Sequence, residues 1–258
     1  MIGVVVPAHD EEASLAACLD ALLRAASHPD LGGEEVRIVV VLDDCRDRSA
    51  EIVMARVVTG LRIEARNVGV ARCHGAAHLL AAGARWLAFT DADSVVDQRW
   101  LADQLSLQCD AVCGCVTVED WSEHTDVVRL RYLAHYQHHD DHRHVHGANL
   151  GVSSRAYTAA GGFSGLALGE DVALVQALQA NGVAIKWSAL PRVVTSARKA
   201  ARARGGFADF VVGLAAVASV SGMGSLAGPA KAGGVAEAAS AGNVAVAGLA
   251  GPAAGAAA

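Results

Sequence analysis

The sequence predicts an α/β fold built on a doubly wound, mostly parallel sheet with helices on both faces. Short continuous apolar runs alternate with segments of helical periodicity through the first half of the chain, as expected for parallel strands buried on both sides. Acidic residues directly follow several of these runs, at the strand ends where sheets of this type bind ligands. The length of 258 residues suffices for one such domain with a full core.

The individual elements follow from the spacing of the apolar residues. Buried strands are predicted where the runs are short and continuous, at residues 2–6, 36–42 and 86–90, with a β-rich segment at 111–118. Helices are predicted where apolar residues recur three or four positions apart, at residues 49–58, 70–84, 101–107 and 171–179. Another helix is expected to begin near Asp10, because this residue and the following two glutamates suit the positive end of a helix dipole.

Charge and cysteine content exclude some functions and favour one compartment. The net charge of −6 argues against a nucleic-acid partner, which requires clustered Lys and Arg. Most of the six cysteines sit inside apolar runs, as small buried residues of a reducing compartment do. No basic leader precedes the strand at Ile2, so a signal peptide is not expected. We predict a cytoplasmic protein, with attachment to a membrane surface left open.

The C-terminal part of the sequence has a different composition. From about residue 213 it is rich in Ala, Gly and Ser and loses its apolar periodicity. We therefore predict a folded domain at 1–212 and a disordered tail at 213–258. Residues 211–230 carry no charge, but their small side chains are only weakly apolar, so we expect no stable membrane span there. An interfacial helix remains an alternative for this stretch.

Acidic side chains mark the predicted ligand-binding edge of the sheet. Asp10, Asp43 and Asp91 each come after the last hydrophobic residue of a predicted strand. Because the carboxyl ends of neighbouring parallel strands open onto one crevice, we expect these side chains to converge there. Asp91-Ala92-Asp93 is the most informative triplet, since two carboxylates one residue apart can share a divalent ion. Mg²⁺ or Mn²⁺ prefers oxygen ligands and usually takes one or two carboxylates plus substrate phosphates.

Seven short motifs, taken in order, resemble those of family-2 glycosyltransferases. They are Val4–Glu12, Val41–Ser49, Asn67–Arg72 and Phe89–Ser94, followed downstream by Gly147–Leu150, Gly161–Phe163 and Gly169–Asp171. Each motif is loose, but seven in the right order are specific, and the resemblance covers about residues 2–207. It implies a GT-A fold, with a nucleotide-binding half at about 1–118 and an acceptor half at about 119–212.

The resemblance also implies an activity of the hexosyltransferase type. A sugar would pass from a nucleotide-diphosphate-sugar donor to an acceptor hydroxyl in one displacement, with inversion at the anomeric carbon. A divalent ion would stabilise the charge on the leaving diphosphate. A positioned carboxylate would remove the proton of the hydroxyl, which is a poor nucleophile at neutral pH.

Roles for donor-side residues come from the same resemblance. Asp10 or Glu11, together with Asp43, would contact the nucleotide base and ribose. Arg72 would face the ribose-phosphate region. Where many members have glycine after the nucleotide-contacting aspartate, this chain has Asp44.

Roles at the reacting centre follow in the same way. Asp91 would lie by the ribose or the metal, and Asp93 would bind the Mg²⁺ or Mn²⁺. Asp171 matches the catalytic base, with Glu170 beside it, and repulsion between these two adjacent carboxylates is expected to raise one pKa. A metal-binding histidine used by some GT-A enzymes is not evident. Arg198 lies in the comparable stretch, where binding to the diphosphate and simple surface solvation are both open.

Six histidines are concentrated in the acceptor half, at His135, His138, His139, His142, His144 and His146. His138 and His142 would share a helix face, whereas His142, His144 and His146 would share a strand face. Both geometries cannot hold at once. We predict an acceptor-side loop with partly exposed histidines rather than a metal site.

Two other functions compete with glycosyl transfer. A nucleotidyltransferase of similar fold would need a Gly-rich, basic loop after the first strand, whereas this chain has His9-Asp10-Glu11-Glu12. A non-catalytic nucleotide-sugar-binding module is the other alternative. The intact carboxylates count against such a module, and a turnover assay distinguishes it from an enzyme.

Overall fold

The computed structural model describes residues 1–198 together with Phe207, Val211 and Gly213. The predicted domain boundary at residue 212 and the predicted tail, Gly213 apart, lie outside the described residues. Within them, nine strands are present: β1 Ile2–Ala8, β2 Val36–Asp43, β3 Thr59–Ile63, β4 Trp86–Phe89, β5 Ser94–Val96, β6 Ala111–Gly114, β7 Leu150–Ser153, β8 Ile185–Ser188 and β9 Val193–Thr195. The α-helices are α1 Leu15–Ala26, α2 Ser49–Met54, α3 Val68–Ala81, α4 Trp100–Ser106, α5 Asp126–His135, α6 Ser154–Ala159 and α7 Glu170–Ala180.

Seven of the strands form one sheet in the order β3-β2-β1-β4-β7-β6-β8. The neighbours β3, β2, β1 and β4 are parallel, as are β6 and β8. Only β7 runs against its two neighbours, β4 and β6, in this sheet. Strands β5 and β9 form a separate antiparallel ribbon. The predicted α/β class with a mostly parallel sheet is therefore confirmed.

Helices cover both faces of the sheet because successive side chains enter two different hydrophobic cores. In β1, Val4 and Val6 pack into the core that contains residues of α1 and α4. Val5 between them packs into the core that contains residues of α3, α6 and α7. A strand buried on both sides reads as a continuous apolar run, which explains why the sequence pattern predicted β1, β2 and β4 correctly.

Two expectations about secondary structure are wrong. Helix α1 begins at Leu15 rather than near Asp10, because Asp10 takes a left-handed backbone conformation with φ 52°, which no helix continues through. The stretch 121–169, where the sequence pattern predicts no helix or strand, contains α5, β7 and α6. Helix α5 buries only Val128 and Tyr132, so it lacks a broad apolar stripe. Among the described residues no helix is long and apolar enough to cross a membrane.

Candidate active site

Three left-handed residues shape the carboxyl edge of the sheet. Asp10, Asp44 and Arg66 have φ values of 52°, 49° and 49°, and they follow the adjacent strands β1, β2 and β3. Residues other than glycine seldom adopt this conformation, although aspartate tolerates it better than most. Asp44 thus takes, at the position where the family often has glycine, a conformation that glycine adopts readily. The chain turns sharply at the end of each of these strands.

Asp10 is used to hold the loop that follows β2. One of its carboxylate oxygens accepts hydrogen bonds from the backbone N–H groups of Arg46 and Asp47, at 2.7 and 3.3 Å. Asp10, Cys45 and Asp47 are also the one set of three potential metal ligands that lie close together in the described part of the chain. The Cys45 thiol, however, donates to the Ala8 carbonyl oxygen, and a thiol is a poor ligand for Mg²⁺.

Asp43 is buried at the end of β2 and fixes the loop between β3 and α3. One carboxylate oxygen accepts from the backbone N–H groups of Ala65 and Arg66, at 2.7 and 2.8 Å, and the other accepts from Asn67 at 2.8 Å. The Asn67 side chain in turn caps α3 by accepting from the Val70 N–H. The predicted contact of Asp43 with a nucleotide stays a prediction, and this loop-holding role was not foreseen.

Arg72 joins two of the predicted site carboxylates. It lies on α3, is only 3% exposed, and donates to Asp91 at 2.6 Å and to Glu170. Its guanidinium lies over the ring of Phe163, 5.5 Å from the centroid. Gly147 makes room for it, since a Cβ there would come within 2.2 Å of the guanidinium. The end of β4 and the start of α7 are thereby held together.

The two adjacent carboxylates at the start of α7 have different surroundings. Glu170 is buried against Arg72, and burial, with a smaller contribution from Asp171, raises the pKa of Glu170 despite the opposing charge of Arg72. Asp171 accepts a hydrogen bond from the Gly147 N–H at 2.9 Å and another from the Val172 N–H. Because Gly147 touches Arg72, Asp171 lies beside the same cluster of charges.

Asp93 and Glu11 share a second arginine. The Arg198 guanidinium donates to both oxygens of Glu11, at 2.8 and 2.7 Å, and one of its nitrogens lies 3.0 Å from an Asp93 oxygen. The Arg198 side chain is 24% exposed, so the surface-solvated alternative for it is wrong. Burial, followed by the neighbouring charges of Asp91 and Glu11, raises the pKa of Asp93 to about 6, with Arg198 opposing.

We call these side chains together the acidic crevice; its members are Glu11, Asp91, Asp93, Glu170 and Asp171 with Arg72 and Arg198. Five carboxylates against two arginines leave an excess of negative charge in a partly buried place. A hard divalent cation with oxygen ligands fits that excess. The fit supports the predicted ligands Asp91 and Asp93. Asp10 and Asp43 lie at the same edge of the sheet, but their carboxylates bind backbone groups instead.

The histidine cluster lies in the loop that follows α5 and consists of Tyr136, His142, His144 and His146. The imidazoles stack at spacings of 5.5 and 5.9 Å, and Tyr136 stacks on His144 at 4.2 Å. The three histidines thus occupy one side of the chain, as the strand-like alternative requires. Within the described residues they form no group of three close metal ligands.

Hydrogen bonds and burial favour the neutral form of the imidazoles in the histidine cluster. The Tyr136 hydroxyl accepts from the Val116 N–H and donates to His146 Nε2, each at 2.9 Å. Burial, and then the neighbouring histidines, lower the pKa of His146 to about 3. The pKa values of His142 and His144 are lowered mainly by burial as well.

Asn149 has a structural role that its motif did not reveal. Its buried amide donates to the carbonyl oxygens of Cys115 and Pro191, at 2.7 and 2.8 Å, and accepts from the Trp100 indole at 2.9 Å. Gly114 leaves the space for it, since a Cβ would lie 2.2 Å from the amide. The amide therefore joins three segments that are distant in sequence.

Comparison with known proteins bears on what this site does. The family described as Glycosyl transferase family 2 matches residues 3–166, more than half of the chain. No curated protein sequence matches. At the level of solved structures, residues 1–349 of TarS from S. aureus have 13% identity and a TM-score of 0.56, with 76% of this chain and 60% of that chain covered.

A second solved structure is similar to the same degree. The mannosyltransferase PcManGT from Pyrobaculum calidifontis, in complex with GDP-Man and Mn²⁺, has 18% identity and a TM-score of 0.58. It is matched over 87% of this chain and 76% of its own. The present chain spans 60% of the TarS fragment and 37% of the longer TarS chain. At these identities the likeness establishes a shared fold.

Proposed function

The chain belongs to glycosyl transferase family 2, and from this premise we propose how it works. It moves a sugar from a nucleotide-diphosphate-sugar donor onto an acceptor hydroxyl by metal-assisted, inverting single displacement. The acidic crevice carries the proposal, because it gathers Asp91, Asp93 and Asp171 beside two arginines at the carboxyl edge of the sheet. Structural neighbours are complexes with UDP, UDP-GlcNAc and GDP-Man, which makes these donors the first to test.

The donor side of the proposal uses the strand ends. Asp10, Glu11 and Asp43 are the candidate contacts for the nucleotide, with Arg72 facing the ribose-phosphate region. Asp10 and Asp43 also hold the loops at 45–47 and 65–67 through backbone hydrogen bonds. Loops fixed in this way present a preformed surface, which lowers the entropic cost of binding a ligand.

Asp91 and Asp93 are the proposed ligands of the metal ion, Mg²⁺ or Mn²⁺. When bound, the ion would act as a Lewis acid that stabilises negative charge on the departing diphosphate. Arg72 holds Asp91 in position from the side of α3 and neutralises part of the local charge. The buried ion pair of Arg72 with Glu170 keeps both side chains in place.

Asp171 is the proposed general base. Glu170 is committed to its pair with Arg72, so Asp171 is the carboxylate of the two that remains for the acceptor hydroxyl. The N–H groups of Gly147 and Val172 hold the two oxygens of Asp171, each of which keeps a lone pair for the incoming proton. One base on one side of the sugar gives one displacement, and hence inversion.

The test is donor binding with and without metal. UDP-GlcNAc and GDP-Man are added to the wild-type protein with Mn²⁺ or with EDTA, and the melting temperature is measured. We expect stabilisation by at least one donor only with Mn²⁺, because a ligand that binds the native state raises its stability. Asp93→Asn should abolish the Mn²⁺-dependent shift and leave the protein folded.

Asp103→Asn is the matched control. Asp103 is also a buried carboxylate with an arginine partner, Arg99 at 3.2 Å, but it lies on α4, outside the acidic crevice. This variant should keep the full shift. Equal shifts in the wild type and Asp93→Asn would remove Asp93 from the donor site. Donor binding without any product formation would favour the non-catalytic module instead.

A further inference from the structure

Arg198 occupies the position of a counter-ion in the acidic crevice. Its guanidinium forms a two-pronged pair with buried Glu11 and also reaches Asp93. Asp91 adds a further attractive charge. A buried carboxylate without a cation is costly, and Arg198 supplies a cation to both Glu11 and Asp93.

We infer that Arg198 and a divalent ion compete for Asp93, so that binding of the ion displaces the guanidinium from the crevice. The inference rests on the proposed function, because it takes Asp93 as a ligand of the ion. Arg198 already lies at hydrogen-bond distance from one Asp93 oxygen. A second cation on a carboxylate repels the first, most strongly where water is scarce. Arg72 is 4% exposed and is held on Asp91 by its second partner, Glu170, so it stays in place. The Arg198 side chain is 24% exposed and can move away. The side chain of Asp93 is only 15% exposed.

Paired strands lie next to both residues, so we take the exchange to be a movement of the Arg198 side chain. Asp93 directly precedes β5, and Arg198 follows β9 by three residues. These strands pair in register, with Ser94 opposite Thr195 and their hydroxyls hydrogen-bonded at 2.9 Å. A released guanidinium therefore stays at the mouth of the crevice, where it meets an anionic ligand of the ion.

The decisive experiment measures the affinity for Mn²⁺ in the absence of nucleotide. Calorimetric titration at low ionic strength compares the wild type with Arg198→Ala. We expect the variant to bind Mn²⁺ about 10-fold more tightly, since it has lost the competing charge. The same variant, saturated with Mn²⁺, should bind UDP or GDP about 10-fold more weakly, because a cation that faces the diphosphate is missing. Opposite changes in one variant distinguish exchange from a purely structural ion pair, which would not tighten Mn²⁺ binding.

Two further variants control the experiment. Arg155→Ala also removes one arginine, but that side chain is 83% exposed and pairs with Asp110, so Mn²⁺ affinity should stay unchanged. Arg198→Lys keeps the charge and should remain within about threefold of the wild type. If the melting curve shows that Arg198→Ala does not fold, Arg198→Gln takes its place, because it removes the charge and keeps most of the side chain. Tighter Mn²⁺ binding in Arg198→Lys equal to that in Arg198→Ala would contradict charge competition.

The outcomes separate this inference from the proposed function. Unchanged or weaker Mn²⁺ binding by folded Arg198→Ala overturns the competition, even if sugar transfer is observed. Tightened Mn²⁺ binding without transfer from any donor supports the competition and counts against catalysis.

Discussion

The acidic crevice and the histidine cluster, which are close together in the chain, have opposite electrostatic character. In the crevice, carboxylates outnumber arginines, and burial with like charges raises the pKa of Asp93. In the cluster, burial lowers the pKa of His146 and favours the neutral form of the stacked rings. One region gathers charge that a ligand can neutralise, whereas the other excludes charge and builds a scaffold. They meet at the peptide bond between His146 and Gly147, whose N–H binds Asp171.

The largest expected effect tests whether the crevice is catalytic. Asp171→Asn should lower the rate of sugar transfer by roughly 10²–10⁴-fold, the usual range for loss of a general base. Donor affinity should barely change, since Asp171 is not among the proposed donor contacts. Single-turnover transfer at saturating donor measures the effect.

Glu170→Gln is the matched control, because it removes one charge from the adjacent position. Its rate should fall less than that of Asp171→Asn. A near-normal rate in Asp171→Asn together with a collapse in Glu170→Gln would move the base by one residue. Normal rates in both would remove this pair from the mechanism.

The second prediction concerns the junction between the two regions. Gly147→Ala forces a Cβ against the guanidinium of Arg72, which its two carboxylate partners hold in place. Overpacking of this kind typically costs about 1–3 kcal/mol of unfolding free energy, and we also expect weaker donor binding. Urea unfolding and donor titration measure the two effects.

Gly165→Ala provides the comparison for this junction. A Cβ there meets only a Val70 methyl group, at 3.1 Å, and a small loss of stability is expected. If both variants lose equal stability, the contact between Gly147 and Arg72 is not the cause. If Gly147→Ala loses stability and keeps its donor affinity, the junction serves the fold alone.

The smallest effect is the pH dependence expected from the histidine cluster. The pKa of His146 is lowered to about 3 in the folded protein, whereas an unfolded histidine titrates near 6.5. Below about pH 6.5 the unfolded state therefore binds more protons, so stability is full above this pH and is lost as the pH falls. From pH 7 to 5 the loss from this one residue is on the order of 1–2 kcal/mol.

His146→Asn supplies the control for this titration, because an amide oxygen can still accept from Tyr136 and does not titrate. Urea unfolding at pH 7 and pH 5 should give a smaller difference in the variant than in the wild type. The same difference in both would mean that His146 is protonated in the folded state, and the contrast with the crevice would fail.

The elements that the sequence predicts well are those whose burial is local and complete. β1, β2 and β4 are apolar on both sides, so no knowledge of their partners is needed to identify them. Helix α5 was not predicted because its apolar residues do not form one buried stripe. Val128 and Tyr132 are buried, whereas Val127, Leu130 and Leu133 are exposed. Strand β7 pairs with β4 through residues more than sixty positions away, a pairing with no local signal.

In the candidate site, too, features with a local sequence signal were predicted and long-range contacts were not. Asp10, Asp43 and Asp91 were identifiable because they follow strands, and strand ends of a parallel sheet converge. Glu170 and Asp171 were identifiable only from the resemblance to the family. The partners of these carboxylates could not be predicted from the sequence. Asp43 accepts from three backbone amides, and Glu11 pairs with an arginine 187 positions away. Asp44, which stands where the family often has glycine, is a departure that the fold explains. Its backbone is left-handed, a conformation that glycine adopts readily and aspartate tolerates.

The long separation between Glu11 and Arg198 has a consequence for biosynthesis. At roughly 5–20 residues per second, the ribosome adds the 187 intervening positions in about 10–40 s. The residues of β1, β2 and β4 are all made before Arg198. Glu11 and Asp93, however, can pair with Arg198 only after the last strand of the β5–β9 ribbon has been made. In a nascent chain, Glu11 and Asp93 therefore lack their arginine partner until synthesis has passed residue 198, whereas Arg72, the partner of Asp91, is made earlier.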